Sequence, residues 1–390
     1  MSSVALERTI FDDEHVAFRD TARAFAEREV APRLAEWAQA GRIDRDLFRK
    51  AGELGLIGTN APEEYNGGGA DDFRFNAIVN EELCRVGALS VAMLVFGMND
   101  LVLPYLTAFG NHEQKQRWLA PLCVGEKVGA IAFTEPNTGS DLPAMNTSAR
   151  AEGNGNFVVN GSKVFISNGM LADFVVTAVR TDPDAGRQGF SVLVIETDTP
   201  GFTRSQVKKI GLAAQDTAEL VFEDVVVPAG NVLGQVGEGL KYLRHNLPQE
   251  RLGVAVSSMA AARRTFDRAL AYACERTAFG QPIADFQANR FYLAELATEL
   301  EIGQCFVDRC ILDASHGTLD AVTAAMAKWW ITEMQQRVVQ RAVQLHGGYG
   351  FMSEYDVAQD YLDCRAAPIY AGTTEIMKEI IGRKLTAAPR

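Results

Sequence analysis

The sequence predicts a mixed α and β fold in three successive parts: helices, a sheet, and helices again. From about residue 12 to 125 apolar residues recur every three or four positions, as in amphipathic helices. From about 128 to 235 the pattern changes to short β-branched runs broken by turn residues, and helical spacing returns after Gly237. We therefore predict an all-α N-terminal domain over 1–127, a central β domain over 128–236 and a helical C-terminal domain over 237–390.

The individual elements follow from these patterns. In the first part the apolar positions at helical spacing are Val16, Phe18, Ala22, Phe25, Ala26, Leu47, Ala51, Leu54 and Leu56. The predicted strands are NFVVNGSKVFISNG, DFVVTAV, GFSVLVIETDTPG and AELVFEDVVVP. In the last part the helical positions are Leu252, Val256, Met259, Phe266, Leu270 and Ala273, followed by the Ala-rich stretch 321–345. We expect the tail TAAPR to fray.

Composition excludes several classes of protein. The chain has 390 residues, 47% of them hydrophobic, which is typical of a folded globular protein and not of a disordered one. With 38 basic and 50 acidic residues the net charge is −12, so nucleic acid and anionic membranes are unfavourable partners. The sequence at the N-terminus is acidic, unlike a secretory signal, and we expect no apolar run long enough for a membrane span. We predict a cytoplasmic protein without a membrane span.

Metal and nucleotide motifs are also missing from the sequence. The 6 cysteines are far apart and form no CxxC pair, and the 5 histidines form no HExxH group, so we predict neither a metal site nor a disulfide framework. Neither GxGxxG after a strand nor GxxxxGK[ST] occurs, so a Rossmann or P-loop nucleotide site is not supported.

Five separated strings carry the functional information. They are AFTEPNTGSD at 132–141, GSKVFISNG at 161–169, ERTAFGQPI at 275–283, QLHGGYGF at 344–351 and IYAGTTEI at 369–376. Together, in this order and spacing, they resemble the acyl-CoA dehydrogenase family, and LPQERL at 247–252 is most similar to its long-chain members. The resemblance implies a central β-sandwich or barrel-like domain, a C-terminal four-helix bundle, and FAD as the cofactor.

The resemblance also implies which residues line the flavin. These are Ile131, Phe133, Thr134, Gly139, Ser140, Phe165, Ile166, Ser167, Thr373 and Glu375. Phe165 matches an aromatic residue that shields one face of the ring, and Ser167 matches a hydroxyl that bonds flavin N5. The alternatives are that Phe165 is an ordinary core residue and that Thr134 and Ser140 only cap a turn.

A second set of residues matches contacts to the outer half of FAD. The set consists of Arg276, Phe279, Gln287, Gln344, Gly347 and Gly348. In the family the matching arginine reaches the pyrophosphate of a neighbouring subunit, so the resemblance implies a homo-oligomer, expected to be a tetramer. The alternatives are a solvated arginine near a helix end and a loop whose glycines, Gly350 included, serve flexibility alone.

The chain departs from most of the family at the catalytic base. Most members carry that glutamate in IYEGT, whereas this chain has Ala371 at the matching position. A minority carry it in a string like ERL, which matches Glu250 here, so Glu250 is the predicted base. The alternative is an exposed helical glutamate. Residues implied to bind the substrate are Ser140, Thr181, Arg251, Ala371 and Gly372.

The expected reaction is dehydrogenation of a saturated acyl-CoA to the trans-2-enoyl thioester. The glutamate takes the proton next to the thioester carbonyl while a hydride leaves the neighbouring carbon for the flavin, and an electron-transfer flavoprotein receives the electrons. Three alternatives stay open: an acyl-carrier-protein substrate, a catalytically silent flavoprotein subunit, and direct oxidation by oxygen.

Overall fold

The computed structural model describes residues 5–387 and begins with a layer of helices. They are α1 (Asp13–Phe25), α2 (Leu34–Ala40), α3 (Asp46–Glu53), α4 (Phe73–Arg85), α5 (Leu89–Phe96), α6 (Leu103–Phe109), α7 (His112–Gln114) and α8 (Ala120–Cys123). Wider π-helical turns extend α1 and join α5 to α6 and α7 to α8. The outer limits of the predicted terminal domains, 1 and 390, and the end of the TAAPR tail lie outside the described residues.

The central part is a seven-stranded sheet. Its strands are β1 (Gly129–Ala132), β2 (Ser148–Ala151), β3 (Phe157–Ser167), β4 (Phe174–Arg180), β5 (Phe190–Glu196), β6 (Phe202–Gln206) and β7 (Thr217–Val227). The strand order is β1-β4-β2-β3-β7-β6, and β5 also pairs with β4. The antiparallel pairing of β3 and β7 shifts register between Lys163 and Ile166, which is a β-bulge.

The sheet curls so that its two halves enclose a core. Val175 of β4 and Leu193 of β5 share a buried cluster with Leu220 and Phe222 of β7. The alternate residues of β4, such as Val176, instead pack against the N-terminal helices. Because β4 is buried on both faces, its sequence is an uninterrupted apolar run and not an alternating one.

The C-terminal part returns to helices. They are α9 (Gly239–Glu275), α10 (Gln287–Ser315), α11 (Ala321–His346), α12 (Asp356–Cys364) and α13 (Thr374–Thr386), with a short hairpin of β8 (Thr277–Ala278) and β9 (Gln281–Pro282) after α9. Helices α9, α10 and α11 pack against one another, and α4 of the N-terminal part packs against α9 and α10. Phe73 and Ala77 of α4 share a core with Leu252 and Met259 of α9. The predicted order of helices, sheet and helices is confirmed.

Two expectations about apolar residues need correction. The stretch Leu89–Phe109 is long and apolar enough to cross a membrane, contrary to the sequence-based expectation, but 88% of its most apolar 18-residue window is buried inside the protein. It is thus accounted for as a core helix. Val16 and Leu54 are 52% and 46% exposed. Leu54 and Leu56 follow the last residue of α3, so their predicted helical positions are wrong, whereas Val16 lies within α1 as predicted, on its exposed face.

Candidate functional site

Glu250 lies within α9, two residues after Pro248, and is only 8% exposed. The hydroxyl of Tyr105 on α6 donates a hydrogen bond to Glu250 Oε1 at 3.3 Å. Asn246, one turn earlier on α9, donates from Nδ2 to the same oxygen at 3.0 Å. The burial excludes the alternative of an exposed helical glutamate. Both partners are neutral, so neither cancels the charge of an ionised carboxylate.

A second buried carboxyl group lies next to this site. Asp100, in the π-helical turn between α5 and α6, is 0% exposed. Its Oδ1 accepts hydrogen bonds from Asn76 Nδ2 at 2.7 Å and from Gln249 Nε2 at 3.1 Å. Asn246 Nδ2 donates to the Asp100 main-chain carbonyl at 2.9 Å as well as to Glu250. The two carboxyl groups therefore belong to one hydrogen-bonded network.

Burial changes the acidity of both groups. It raises the pKa of Glu250 to about 7, and the neighbouring charge of Asp100 acts in the same direction, against the hydrogen bonds and the charge of Arg251. Burial also raises the pKa of Asp100 to about 6. A carboxyl group with a pKa near neutrality is a suitable proton acceptor, because it is partly ionised and still basic.

Two buried cations lie behind the segment that contains Ala371 and Gly372. Lys328 of α11 is 0% exposed, and its Nζ donates a hydrogen bond to the Gly372 carbonyl at 2.7 Å. Arg251 is 6% exposed, and its Nε has no hydrogen-bond partner in the described part of the chain. Its Nη2 lies 3.9 Å from where a Cβ on Gly372 would be. Both side chains therefore border the same turn, and Lys328 is hydrogen-bonded to it.

The loop after β1 is anchored by a buried ion pair. Lys163 of β3 donates from Nζ to Glu135 Oε1 at 2.8 Å and to the Phe133 carbonyl at 3.1 Å. The Val164 N–H donates to the Thr134 carbonyl at 2.9 Å. The hydroxyl groups of Thr134 and Ser140 make no hydrogen bond within residues 5–387, so the turn-cap alternative for these residues gains no support.

Phe165 lies at the bulge of β3 in an unusual conformation. It has a φ of +62° and is 65% exposed, so it is not an ordinary core residue. The neighbouring Ile166 is buried in the sheet core. Ser167 Oγ accepts a hydrogen bond from Gln215 Nε2 at 2.7 Å, which leaves the hydroxyl proton available to a ligand. An exposed ring on a residue whose main chain is held in the left-handed region suits contact with a planar ligand.

The segment after α9 presents exposed side chains. Arg276 directly follows α9, and its guanidinium lies 5.8 Å from the centre of the Tyr349 ring. Phe279 has a φ of +53° and is 97% exposed. Gln287, the first residue of α10, is also exposed. The hairpin β8–β9 holds the intervening turn.

The glycines of QLHGGYGF have different roles. No atom lies within 4 Å of a Cβ placed on Gly347 or Gly348, so the space beside them is open. A Cβ on Gly350 would instead lie 2.4 Å from the Val343 carbonyl oxygen, which makes this glycine a packing requirement. Gln344 is exposed on the last turn of α11. Open space for a ligand therefore exists at the first two glycines and not at the third.

The structure connects only some of the predicted residues. The Tyr105 ring meets the Phe133 ring edge-on, with centroids 5.6 Å apart, which links Glu250 to the loop after β1. Ile131, Phe133 and Ala371 pack against the same buried cluster. The hydroxyl of Thr181 is already hydrogen-bonded to Ser191 Oγ at 2.7 Å.

Two further predicted residues lie at the start of α13. Thr373 caps the helix, because its Oγ1 accepts a hydrogen bond from the Ile376 N–H at 3.3 Å. Glu375 is exposed in the first turn. These positions place a helix N-terminus next to Ala371 and Gly372.

Sequence reasoning missed Tyr105, Asp100, Asn246 and Lys328. Asp100 could have been found, because it is the one acidic residue in the apolar run SVAMLVFGMNDLVLPYL at 90–106. Tyr105 and Lys328 carry no such signal, since a tyrosine or lysine in a helix is usually explained by packing or by solvent exposure.

One group of potential metal ligands lies elsewhere. Asp12, Glu14 and His15 come together at the start of α1. Both ring nitrogens of His15 are already engaged, one by the Asp12 N–H at 3.3 Å and the other by the Asp72 carboxylate at 3.2 Å. The group is therefore explained as a helix cap, and the absence of a metal site stays a prediction.

Three protein-family models match the chain in succession. They are described as the acyl-CoA dehydrogenase N-terminal domain, matching residues 12–126, the middle domain, matching 130–225, and the C-terminal domain, matching 237–386.

Whole proteins are similar as well. The long-chain specific mitochondrial acyl-CoA dehydrogenase of Sus scrofa is 42% identical over 97% of this chain and 88% of its own. The crystal structure of an acyl-CoA dehydrogenase from Geobacillus kaustophilus has a TM-score of 0.95 and 46% identity, covering 98% of this chain and 100% of the other. A glutaryl-CoA dehydrogenase of Mycobacterium smegmatis, solved in complex with FADH2, has a TM-score of 0.90 and 27% identity, covering 98% and 97%.

Proposed function

The chain belongs to the acyl-CoA dehydrogenase family, and on this premise we propose that Glu250 is the base that removes a C2 proton from a saturated acyl-CoA, giving the trans-2-enoyl thioester. Membership makes the protein an FAD-dependent oxidoreductase that dehydrogenates acyl-CoA. The single observation that supports Glu250 is its burial beside Tyr105 and Asn246, with a pKa raised to about 7, in a chain that has Ala371 at the usual position of the base.

The C2–H bond breaks and its proton goes to the Glu250 carboxylate, while the electron pair of that bond forms the C2–C3 double bond. FAD, when bound, accepts the hydride that leaves C3. Tyr105 and Asn246 both donate to Oε1, so we expect them to orient the carboxylate and leave Oε2 for the proton.

The thioester oxygen needs donors that strengthen as negative charge develops on it. We propose the Ala371 N–H as one of them, with Arg251 and Gly372 next to it. The Ala371 N–H has no acceptor among the described residues, and the φ of +54° turns the main chain away from helical geometry. Because the donor is main chain, an alanine at this position preserves it. The proposed roles of Ser140 and Thr181 in substrate binding rest on the resemblance alone.

The residues proposed for FAD fit a large planar cofactor. Phe165 offers an exposed ring, Ser167 keeps a hydroxyl proton free, and Gly347 and Gly348 border open space. Arg276 is an exposed cation available for a pyrophosphate. The remaining proposed contacts are Ile131, Phe133, Thr134, Gly139, Ser140, Ile166, Phe279, Gln287, Gln344, Thr373 and Glu375.

Assembly into a homotetramer, with Arg276 contacting the FAD of a neighbour, is the proposed quaternary structure. Large apolar side chains are exposed on the helical part, and a groove of about 330 Å³ between α10 and α11 includes Gln344. Phe291 and Ile302 of α10 are 58% and 60% exposed, as expected of a face that a second copy covers. An electron-transfer flavoprotein as the acceptor and a cytoplasmic location are also proposals.

The deciding experiment is an anaerobic titration of the purified holoenzyme with acyl-CoAs from C4 to C18. We expect flavin bleaching, with the fastest reduction identifying the chain length. Glu250→Gln should bind the same acyl-CoA but reduce its flavin much more slowly, because the amide cannot accept the proton. The loss of a positioned base typically costs about 10²–10⁴-fold in rate, and we expect the upper end of that range or more. Bleaching of Glu250→Gln at the wild-type rate would refute the assignment, and no bleaching of wild type would favour a silent flavoprotein.

Two parallel assays address the carrier of the acyl chain and the electron acceptor. Replacing acyl-CoA by acyl-carrier protein in the same titration compares the two thioesters directly, and faster flavin reduction by the carrier-protein thioester would favour a biosynthetic role. Oxygen consumption during turnover without an added acceptor tests direct oxidation by oxygen. We expect acyl-CoA to reduce the flavin faster and oxygen to be consumed slowly.

A further inference from the structure

The turn that contains Ala371 and Gly372 is held in a conformation that its own sequence does not favour. Ala371 has a φ of +54° and Gly372 a φ of +98°. A Cβ on Gly372 would approach Met377 Cε to 2.5 Å, so both backbone angle and space require glycine there. A left-handed alanine costs about 1–2 kcal/mol, and such a turn persists only where surrounding contacts fix it.

Two side chains of α11 supply contacts of this kind. Lys328 Nζ donates to the Gly372 carbonyl at 2.7 Å, and Glu333 Oε1 accepts from Thr374 Oγ1 at 2.6 Å. The main chain adds a hydrogen bond from the Thr374 N–H to the Pro368 carbonyl at 3.0 Å. Of these contacts, the one from Lys328 acts on the residue directly after Ala371.

Lys328 is an unusual residue for an anchoring role. A fully buried lysine is costly unless its ammonium is paired, yet Lys328 forms no ion pair within the described residues. Its pKa is lowered to about 7, chiefly by burial and also by Arg251, against the attraction of Glu333 and Glu375. Both the ammonium and the neutral amine keep N–H donors, so the hydrogen bond to Gly372 survives a change of protonation. Packing alone would be served better by an apolar side chain.

We infer that Lys328 is a positioning residue for the acyl-thioester: by holding the Gly372 carbonyl, it directs the Ala371 N–H at the thioester oxygen. This inference rests on the proposed function of the Ala371 N–H. Lys328 itself does not touch the substrate. Its effect passes through the main chain: the Gly372 carbonyl lies in the peptide plane that follows Gly372, and holding that plane restrains the rotation of Gly372 and hence the peptide that joins it to Ala371.

The test uses acetoacetyl-CoA, which has an acidic C2–H and cannot be desaturated. Its enolate should give a long-wavelength absorbance beside oxidised flavin, so a pH titration of the bound ligand measures how strongly the site stabilises charge on the thioester oxygen. In wild-type holoenzyme we expect the ligand to ionise at a lower pH than in water. In Lys328→Met, with FAD content and Tm measured alongside, we expect about a tenfold smaller ionisation constant of the bound ligand, the effect of weakening one hydrogen bond.

Thr374→Val is the matched control, because it removes another bond between the same loop and the same helix without touching Gly372. We expect its bound ligand to ionise as in wild type. With a true acyl-CoA substrate, Lys328→Met should lower the limiting rate of flavin reduction by about tenfold or more and change KM less, since the donor acts most on the developing charge. Equal shifts in Lys328→Met and Thr374→Val would overturn the inference.

Two outcomes separate this inference from the proposed function. If wild type does not lower the pKa of the ligand, the Ala371 N–H is not the donor and the proposed function of that group fails. If wild type lowers the pKa and Lys328→Met with full FAD content does so equally, only the role of Lys328 is refuted. Should Lys328→Met not fold, Lys328→Gln takes its place. The glutamine side chain is one bond shorter than that of lysine, so its amide does not reach the Gly372 carbonyl. We expect the pKa of the bound ligand to shift in the same direction as in Lys328→Met, and an unchanged pKa of the ligand would contradict the inference.

Discussion

Glu250 and Asp100 are two carboxyl groups without a cationic hydrogen-bond partner in a buried network, and each affects the other. Asn246 contacts both, donating to Glu250 Oε1 and to the Asp100 main chain. Burial is the main reason that the pKa of Glu250 is raised, and the charge of Asp100 adds to the rise, so the second carboxyl group helps to keep the first basic near neutral pH. Asp100 therefore adjusts the proposed base without needing to touch a substrate.

We expect Asp100→Asn to move the pH dependence of flavin reduction to lower pH. In wild type the rate should fall as the pH drops below about 7, because Glu250 becomes protonated. The asparagine removes the charge but keeps an oxygen for Asn76 and Gln249. Asn80 Nδ2 faces Asp100 Oδ2 at 3.5 Å, so a flip of the Asn80 amide would let its Oδ1, which lacks a partner in the described chain, accept from the new amide. The measurement is the reduction rate from pH 5 to 9. Asp71→Asn, at an exposed aspartate, is the control, and an unchanged midpoint in Asp100→Asn would contradict the coupling.

The same pKa predicts a pH-dependent stability. The pKa of Glu250 rises from the ordinary 4.5 to about 7 on folding, so the native state favours the protonated form. That contribution is full below pH 4.5 and is lost as the pH rises through about 7. Glu250→Gln should therefore lie within about 1 kcal/mol of wild type at pH 5 and exceed it at pH 8 by up to about 3 kcal/mol. Thermal unfolding at both pH values checks this, with Glu113→Gln, at an exposed glutamate, as control. The prediction is wrong if the stability of Glu250→Gln relative to wild type is lower at pH 8 than at pH 5.

At the scale of elements, the ion pair of Lys163 and Glu135 connects β3 to the loop after β1. Both side chains are buried, at 0% and 5% exposure, and Glu135 also accepts from the Asn146 and Thr147 N–H groups. Burial lowers the pKa of Lys163 to about 8, against the attraction of Glu135. The pair therefore holds together three segments that border the proposed flavin site.

Breaking that pair should weaken both the fold and cofactor retention. Removing one partner of a buried pair typically costs about 3–5 kcal/mol, and the two N–H groups on Glu135 place Lys163→Met near the lower end. We expect a lower Tm and loss of FAD on dialysis, measured by absorbance per protein. Lys208→Met, at an exposed lysine, should retain its FAD. A Lys163→Met protein with wild-type Tm and FAD content would show that the pair does not hold the loop.

Elements were predicted from sequence better than contacts were. The period of the apolar residues depends on local geometry, which is why the helical parts and the strands β3, β4, β5 and β7 could be predicted, whereas the short strands β1, β2 and β6 were missed. The exposure of Phe165 could not, because it depends on the bulge between Lys163 and Ile166, where β3 changes register against β7. The bond from Lys328 to Gly372 joins residues 44 positions apart, and no local pattern encodes it.

At the scale of the whole molecule, the three predicted parts share one core. A single cluster contains Phe25 of α1, Trp118, Phe174 of β4 and Val254 of α9. The predicted domain boundaries stay a prediction, and they do not separate the apolar core into independent units. The sequence pattern locates changes of secondary structure, whereas the packing of α4 on α9 depends on contacts between distant segments.

The proposed tetramer predicts an effect of Arg276 on every subunit. Arg276→Ala should bind FAD about ten- to a hundredfold more weakly, the usual cost of losing a charge-assisted hydrogen bond to phosphate. FAD per subunit after dialysis and mass by light scattering are the measurements. The exposed Arg150→Ala serves as control. A fully flavinylated and active monomer of the wild-type chain would contradict both the assembly and this role.

The left-handed conformations of Phe165, Phe279 and Ala371 have a consequence for how this protein could adapt to heat. Each costs about 1 kcal/mol relative to glycine, and two of them also expose an aromatic ring to solvent. A laboratory selection for heat tolerance alone would therefore favour glycine at these three positions. The aromatic rings at positions 165 and 279 would then be lost, and the resulting protein would bind its cofactor more weakly.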